Sequence, residues 1–314
     1  MKLKRKIDVL LILSAALIVI FIAIGLNSRN WQYALSRRIP SVLAIILTGS
    51  TIAFSTVIFQ TITNNRILTP SVLGLDSMYM LIQTTVVFVL GSQNVASISN
   101  NTNFILSVGL MVVLSLLLFK VIFKKENSNV YFLLLVGLIL GTLFQSVTSF
   151  MQMVIDPNEF AIIQDKMFAS FNNINTGILF IAFIIVVISM IYSYRYIRVL
   201  DVMALGRENA INLGVDYDKS VKRMLGVIAI LVSVSTALVG PITFLGLLVA
   251  NLSREFMKTY KHSYLVLGSV LISITALVGG QLIVTKVMNF NTTLSVIINF
   301  IGGLYFIYLL LKEA

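Results

Sequence analysis

Ten apolar stretches run through this chain, separated by short polar or charged segments: residues 7–26, 41–62, 71–90, 104–123, 130–153, 176–195, 219–239, 243–254, 263–285 and 294–311. A helix crossing a hydrocarbon core of about 30 Å needs roughly 20 apolar residues. All but the eighth stretch have about that length, and the eighth has half of it. The pattern predicts an all-α polytopic membrane protein of about ten transmembrane helices, organised as a single transmembrane domain over 1–314. An even number of crossings places both termini on one side.

Several breaks interrupt the spans. Asn64-Asn65-Arg66 through Pro70 and Gly74 separates the second from the third. Asp156-Pro157 to Asn175 is a polar loop with a short apolar insert, which fits a helix lying in the interface. Gly240-Pro241 opens the half-length span. Non-helical backbone at membrane depth is tolerated only against protein or a water-filled cavity, so such breaks point to a pathway.

Between the sixth and seventh spans lies a charged island, Arg195 to Arg223, holding Arg195, Arg198, Asp201, Arg207, Glu208, Asp216, Asp218, Lys219, Lys222 and Arg223. Within it Ala204, Leu205, Ala210, Ile211 and Leu213 form a short apolar stripe, with Gly206 and Gly214 as natural ends of one or two stubby helices. A mere connector needs only a few polar residues. An amphipathic platform here reads as a docking surface for a cytoplasmic partner.

Composition fixes the class. The 314 residues are 58% hydrophobic and 11% charged, and a soluble chain carries about twice that charged fraction. There is no cysteine and one histidine, His262, which excludes disulfides, thiolate nucleophiles, Fe–S clusters and multi-histidine metal or haem sites. The net charge of +11 is a topology signal and no sign of nucleic acid. With the N-terminus inside, 18 of the 23 Lys and Arg residues fall on cytoplasmic segments, and Arg29, Arg37, Arg38, Lys166 and Lys286 remain outside. The basic start, Met1 to Lys6, precedes an apolar run too long for a signal-peptide core, so 7–26 reads as a retained span. His262, beside Lys258 and Lys261, reads as a cytoplasmic surface residue.

No G-x-x-x-x-G-K-[ST] loop occurs, so an ATP-driven process needs nucleotide bound by another chain. Four blocks then carry a resemblance. They are Arg38-Ile39-Pro40 with Gly49, Gln60, Asn65, Pro70 and Leu73-Gly74; the decad Leu205 to Gly214, which reads L-G-x-x-x-A-x-x-L-G; Gly240 to Leu247 through Arg254; and Ile301 to Leu310. In this order and spacing they resemble the FecCD-type permeases of iron–siderophore and vitamin B12 ABC importers. Arg66 stands where that family has a proline, Asn251 where it has a histidine, and Met78-Tyr79 where it has Gly-Ala. The wording around 65–77 and 249–254 resembles the branch serving catecholate-type and related ferric siderophores, petrobactin and anguibactin among them.

The resemblance implies a type II ABC importer fold and a permease that moves ferric siderophore inward. Its implied partners are a second permease, usually a paralogue, two cytoplasmic ATPase subunits and an extracytoplasmic binding protein. ATP and Mg would be held by the ATPase, and this chain would bind no cofactor and do no catalysis. It further implies coupling to the ATPase by Leu205, Gly206, Arg207, Glu208, Ala210, Leu213 and Gly214, where charge reversal at Arg207 and Glu208 should uncouple hydrolysis from transport. Arg37, Arg38 and Lys286, which defy the inward bias of positive charge, are implied as receivers of acidic side chains on the binding protein; headgroup anchoring is the alternative.

Gln60, Asp76, Gln152 and Asn251, with Gln145, Met151 and Met153, are candidates for lining the pathway, and interhelical hydrogen bonding is the plainer role for most of the amides. Asp76, the one acid inside a span, either lines the cytoplasmic mouth or caps the third span. Gly137-x-x-x-Gly141 and Gly302-Gly303 read as close-packing points. A permease for haem, cobalamin or another metal chelate is the alternative cargo reading. A secondary transporter would require more buried ionisable groups than Asp76 alone.

Overall fold

A computed structural model describes residues 3–28, 30–97, 99–122, 130–172, 174–288 and 292–313, with side chains described for all of these except 92–97, 121, 122, 130, 131, 312 and 313. Lys2, Arg29, Lys124 and Lys125 of the charge-based topology, and the side chain of Lys312, lie outside the described residues. Among the described residues the chain is all helix: α1 (Leu3–Ala23), α2 (Trp31–Ile62), a 3-10 turn (Pro70–Leu73), α3 (Leu75–Ser97), α4 (Asn100–Ile122), α5 (Val130–Val154), α6 (Pro157–Met167), α7 (Thr176–Tyr194), α8 (Ile197–Met203), α9 (Arg207–Asn212), α10 (Tyr217–Val239), α11 (Leu245–Met257), α12 (His262–Lys286) and α13 (Leu294–Glu313).

Every predicted span coincides with a helix. Eight helices (α1, α2, α4, α5, α7, α10, α12 and α13) are long and apolar enough to cross a membrane. The apolar part of α3, Leu75–Gly91, is shorter, and α3 kinks at Gly91. Helix α11 has 13 residues and is the half-length element. The segment 156–167 forms a capped helix of its own, α6, with Asp156 accepting from the Asn158 N–H.

One boundary departs from expectation. The second span begins at Trp31, ten residues before its apolar run, and carries Pro40 in its interior. At 1.5 Å per residue its 32 residues extend about 48 Å, more than a hydrocarbon core. Its first turns, ahead of the apolar run, carry Arg37 and Arg38.

Burial is uneven. Of the most apolar stretch of each helix, 78% is buried in α2 and 67% in α10, against 17% in α1 and 22% in α5 and in α13. The centre is α2, with α12 and α10 packed on it; α1 lies on α12, α4 and α7 on α10, and α3 on α5. The apolar flanks of α1, α5 and α13 are left for lipid or another chain.

Small residues let the broken segments approach closely. A Cβ on Gly74 would stand 2.8 Å from Gly141 Cα, and one on Gly137 would stand 2.9 Å from Leu73 Cα. The G-x-x-x-G face of α5 thus packs directly on the break between α2 and α3. Gly302 is likewise in contact, since a Cβ there would meet Phe244 Cβ at 2.5 Å, whereas Gly303 faces open space.

Candidate functional site

The charged island folds into α8 and α9. Gly206 (φ 94°) and Gly214 (φ 85°) bracket α9 in a backbone region that costs other residues energy. Leu200, Met203 and Ala210 turn inward and are buried, while Leu205, Ile211 and Leu213 are 57%, 47% and 63% exposed. Arg207 and Glu208 are exposed on the same short helix, and Arg207 pairs with Asp218 at 3.1 Å. Three large apolar side chains thus stand exposed beside charges on one small platform.

This platform is anchored through His262. The sequence reading of that residue as surface is corrected: its side chain is only 1% exposed. Asp201 Oδ1, on α8, accepts from the His262 backbone N–H and faces Nδ1, both at 2.7 Å. The ring's Nε2 lies 2.7 Å from Thr61 Oγ1 at the end of α2. Thr61 has one hydroxyl hydrogen, and the Val57 carbonyl is also in reach at 2.9 Å. One imidazole therefore joins α8, α2 and α12. Tyr217 adds a second tie, donating to the Ile62 carbonyl at 3.2 Å.

At the same end of the bundle Gln60 and Asn251 fix the loop between α2 and the 3-10 turn. Gln60 Nε2 donates to the Arg66 carbonyl at 2.6 Å, and Asn251 Nδ2 donates to the same oxygen at 2.9 Å. Both side chains are buried, 2% and 8% exposed. Two of the positions that depart from the family wording, Arg66 and Asn251, are therefore direct partners. Gln60 and Asn251 are structural clamps, and they also line a cavity of about 670 Å³ with Arg66, Arg254 and Lys258.

The opposite end brings Arg37, Arg38 and Lys286 into one cavity of about 570 Å³, with Tyr33, Asn172 and Gln281. They are not equivalent. Arg38 is half-buried and donates to the Ile22 and Ile24 carbonyls at 2.7 Å, completing the last turn of α1. Arg37 and Lys286 are exposed, and the Arg37 guanidinium lies 5.8 Å from the Tyr33 ring centre. Gln281 donates to Asn172 Oδ1 at 2.6 Å, tying α12 to the segment after α6. Lys166, on α6, donates to Gln83 Oε1 at 2.6 Å, and burial pushes its pKa down from 10.5.

Asp76 sits in the first turn of α3, half-buried among hydroxyls; Thr243, in the break before α11, donates to Oδ2 at 3.4 Å, and Ser71 is a second partner. It thereby links the two broken segments, and its carboxylate faces the N-terminal ends of α3 and α11, where helix dipoles favour negative charge. Gln152 is half-buried on α5, with Nε2 unpartnered. Near it α5 presents Thr142, Gln145, Ser146 and Ser149, all exposed, in a single stripe flanked by exposed Leu138, Ile139, Phe150 and Met153. The sequence reading had picked out Gln145, Gln152 and Met153 but missed the three hydroxyls, whose i, i+3, i+4, i+7 spacing was the available signal. A polar stripe on an otherwise bare membrane helix suits a wet surface better than lipid.

The chain is similar to known proteins over nearly its whole length. The petrobactin import system permease protein YclO of Bacillus subtilis (strain 168) is 63% identical over 310 residues, 99% of this chain and 98% of that one. The petrobactin import system permease protein FatC of Bacillus anthracis is 35% identical over 303 residues, 96% of this chain and 86% of its own. In fold, a metal-chelate type ABC transporter solved in an inward-facing conformation superposes with a TM-score of 0.86 at 22% identity, covering 99% of this chain and 100% of that one. The pattern of the FecCD transport family matches residues 7–312, and the chain belongs to that family.

Proposed function

We propose that this chain is a membrane-spanning permease subunit of an ABC importer that carries ferric siderophore into the cytoplasm. The observation that carries the reading is its near end-to-end likeness to a petrobactin permease, supported by the exposed apolar platform of α8 and α9. The island end, rich in Lys and Arg, faces the cytoplasm with both termini. There Leu205, Ile211 and Leu213, with Gly206 and Gly214 setting the turns, seat in a groove of one of the importer's two ATPase subunits, which hold ATP and Mg. This chain binds no cofactor.

At the outer end the exposed Arg37 and Lys286 offer positive charge to acidic groups on a siderophore-binding protein. Charge opposition of that kind sets register and encounter rate more than affinity. The pathway forms where the polar stripe of α5 meets a second permease chain, a paralogue of this one. Its amides, hydroxyls and methionines make a wide and weakly binding conduit, leaving selectivity mainly to the binding protein.

The test is deletion and complementation under iron limitation, with uptake of 55Fe-loaded petrobactin and mass spectrometry of proteins co-purified with the tagged chain. The reading expects lost uptake on deletion and recovery of an ATPase with a related permease. Undiminished uptake in the deletion strain would overturn it.

A further inference from the structure

The cavity of about 670 Å³ at the island end holds a group of charges that the transport scheme does not use. Arg66, Arg254 and Lys258 line it, and Glu255 is the one carboxylate among its lining residues. Among the described residues none of the three cations is within ion-pair distance of an acid. One buried amide touches both arginines, the backbone of Arg66 and the guanidinium of Arg254. Gln60 Nε2 fixes the backbone of Arg66 at its carbonyl, 2.6 Å away, while Gln60 Oε1 accepts from Arg254 Nε at 3.3 Å. Asn251 holds the same Arg66 carbonyl from the other side.

The bond to Nε leaves both terminal nitrogens of Arg254 unspent, the edge of a guanidinium that grips a carboxylate or phosphate through two parallel hydrogen bonds. Like charges held together in a partly desolvated cavity raise its free energy when empty, and an anion between them lowers it. Tyr305 on α13 and Asn65 complete the lining with polar groups suited to a hydrated oxyanion.

We propose that this cavity is an oxyanion site, and that a carboxylate-bearing ferric chelate occupies it as cargo leaves the permease. Arg66 and Arg254 make the contact, and Gln60 joins the Arg66 backbone to the Arg254 guanidinium. A site here draws an anionic chelate toward the cytoplasmic mouth and binds it weakly enough to release it into salt water, where the attraction is screened. The proposal rests on the importer reading.

The test uses the assembled importer in nucleotide-free nanodiscs of neutral lipid, without binding protein, and 55Fe-labelled ferric citrate as probe. Saturable binding that weakens with ionic strength is expected for the wild type. Arg66→Gln with Arg254→Gln should weaken it at least tenfold, while Arg66→Lys with Arg254→Lys should retain most of it. Equal binding by wild type and the Gln pair overturns the proposal. Displacement of the probe when phosphatidylglycerol is added to the nanodiscs, with no effect of the Gln pair on cellular uptake, overturns the cargo assignment in favour of a lipid phosphate. Cellular uptake of 55Fe-petrobactin separates the two readings: if the wild type restores no uptake the importer reading fails, and if wild type and Gln pair both restore full uptake and bind citrate alike, only the oxyanion site fails. Co-purification of the ATPase with each variant confirms assembly.

Discussion

Replacing His262 with alanine removes an imidazole that is 1% exposed and reaches three helices. The Asp201 carboxylate keeps the backbone N–H of residue 262 but loses Nδ1 at 2.7 Å, a hydrogen bond to a charged acceptor worth roughly 1.5–3 kcal/mol. Thr61 loses Nε2 but keeps the Val57 carbonyl, so that side adds little. The vacated ring volume adds a cavity cost, bringing the total to roughly 2–4 kcal/mol. A loss of this size lowers the unfolding temperature of the chain by roughly 3–6 °C. The same change loosens α8 from α2 and α12 while leaving Leu205, Ile211 and Leu213 in place. ATPase co-purification should therefore persist while iron imported per ATP hydrolysed falls. His262→Gln, which can reach one of the two partners, should recover part of both losses. An alanine variant with unchanged melting temperature and unchanged transport per ATP would refute the anchoring role.

Three further outcomes follow from the geometry. Leu205→Glu with Leu213→Glu, at positions 57% and 63% exposed, should cost the fold no more than about 0.5 kcal/mol yet weaken ATPase retention at least tenfold in a pull-down; equal retention contradicts the docking patch. Gly74→Val adds a side chain where a Cβ already stands 2.8 Å from Gly141 Cα and where φ is 78°, a cost of roughly 3 kcal/mol, read as loss of monodisperse protein in size-exclusion chromatography. Lys166 has a folded pKa below its unfolded value of 10.5, so the unfolded chain binds more protons between the two. Stability therefore rises as pH climbs through that window toward 10.5, and Lys166→Met should flatten that slope in thermal unfolding at graded pH.

The spans were legible because a bilayer dictates about 20 apolar residues and the chain obeys. The short helices of the island were legible too, because Gly206 and Gly214 mark the ends of an amphipathic segment and both adopt positive φ beside α9. The start of α2 was not, because Trp31 to Pro40, with two arginines and a proline, reads as a polar approach, and the helix runs ten residues ahead of its apolar run to include it. His262 was misread because its neighbours Lys258 and Lys261 are surface residues and its partners lie 61 and 201 positions away. No local pattern signals such a pairing. Gln60 and Asn251 were offered as pathway-lining candidates with hydrogen bonding as the plainer role, but their shared target, the carbonyl of Arg66, is invisible in a side-chain alphabet.

The contact between Gly74 and Gly141 has a mechanical consequence. A joint filled by side chains has slack, because rotamers can absorb a small displacement before the backbone follows. Here main chain rests on main chain, so there is nothing to absorb. A tilt of α5 passes undamped into the turn at Pro70–Leu73 and so into the stretch leading back to Arg66, whose carbonyl is pinned by Gln60 and Asn251. The helix bearing the polar stripe and the loop at the mouth are geared together, and a partner that moves one moves the other.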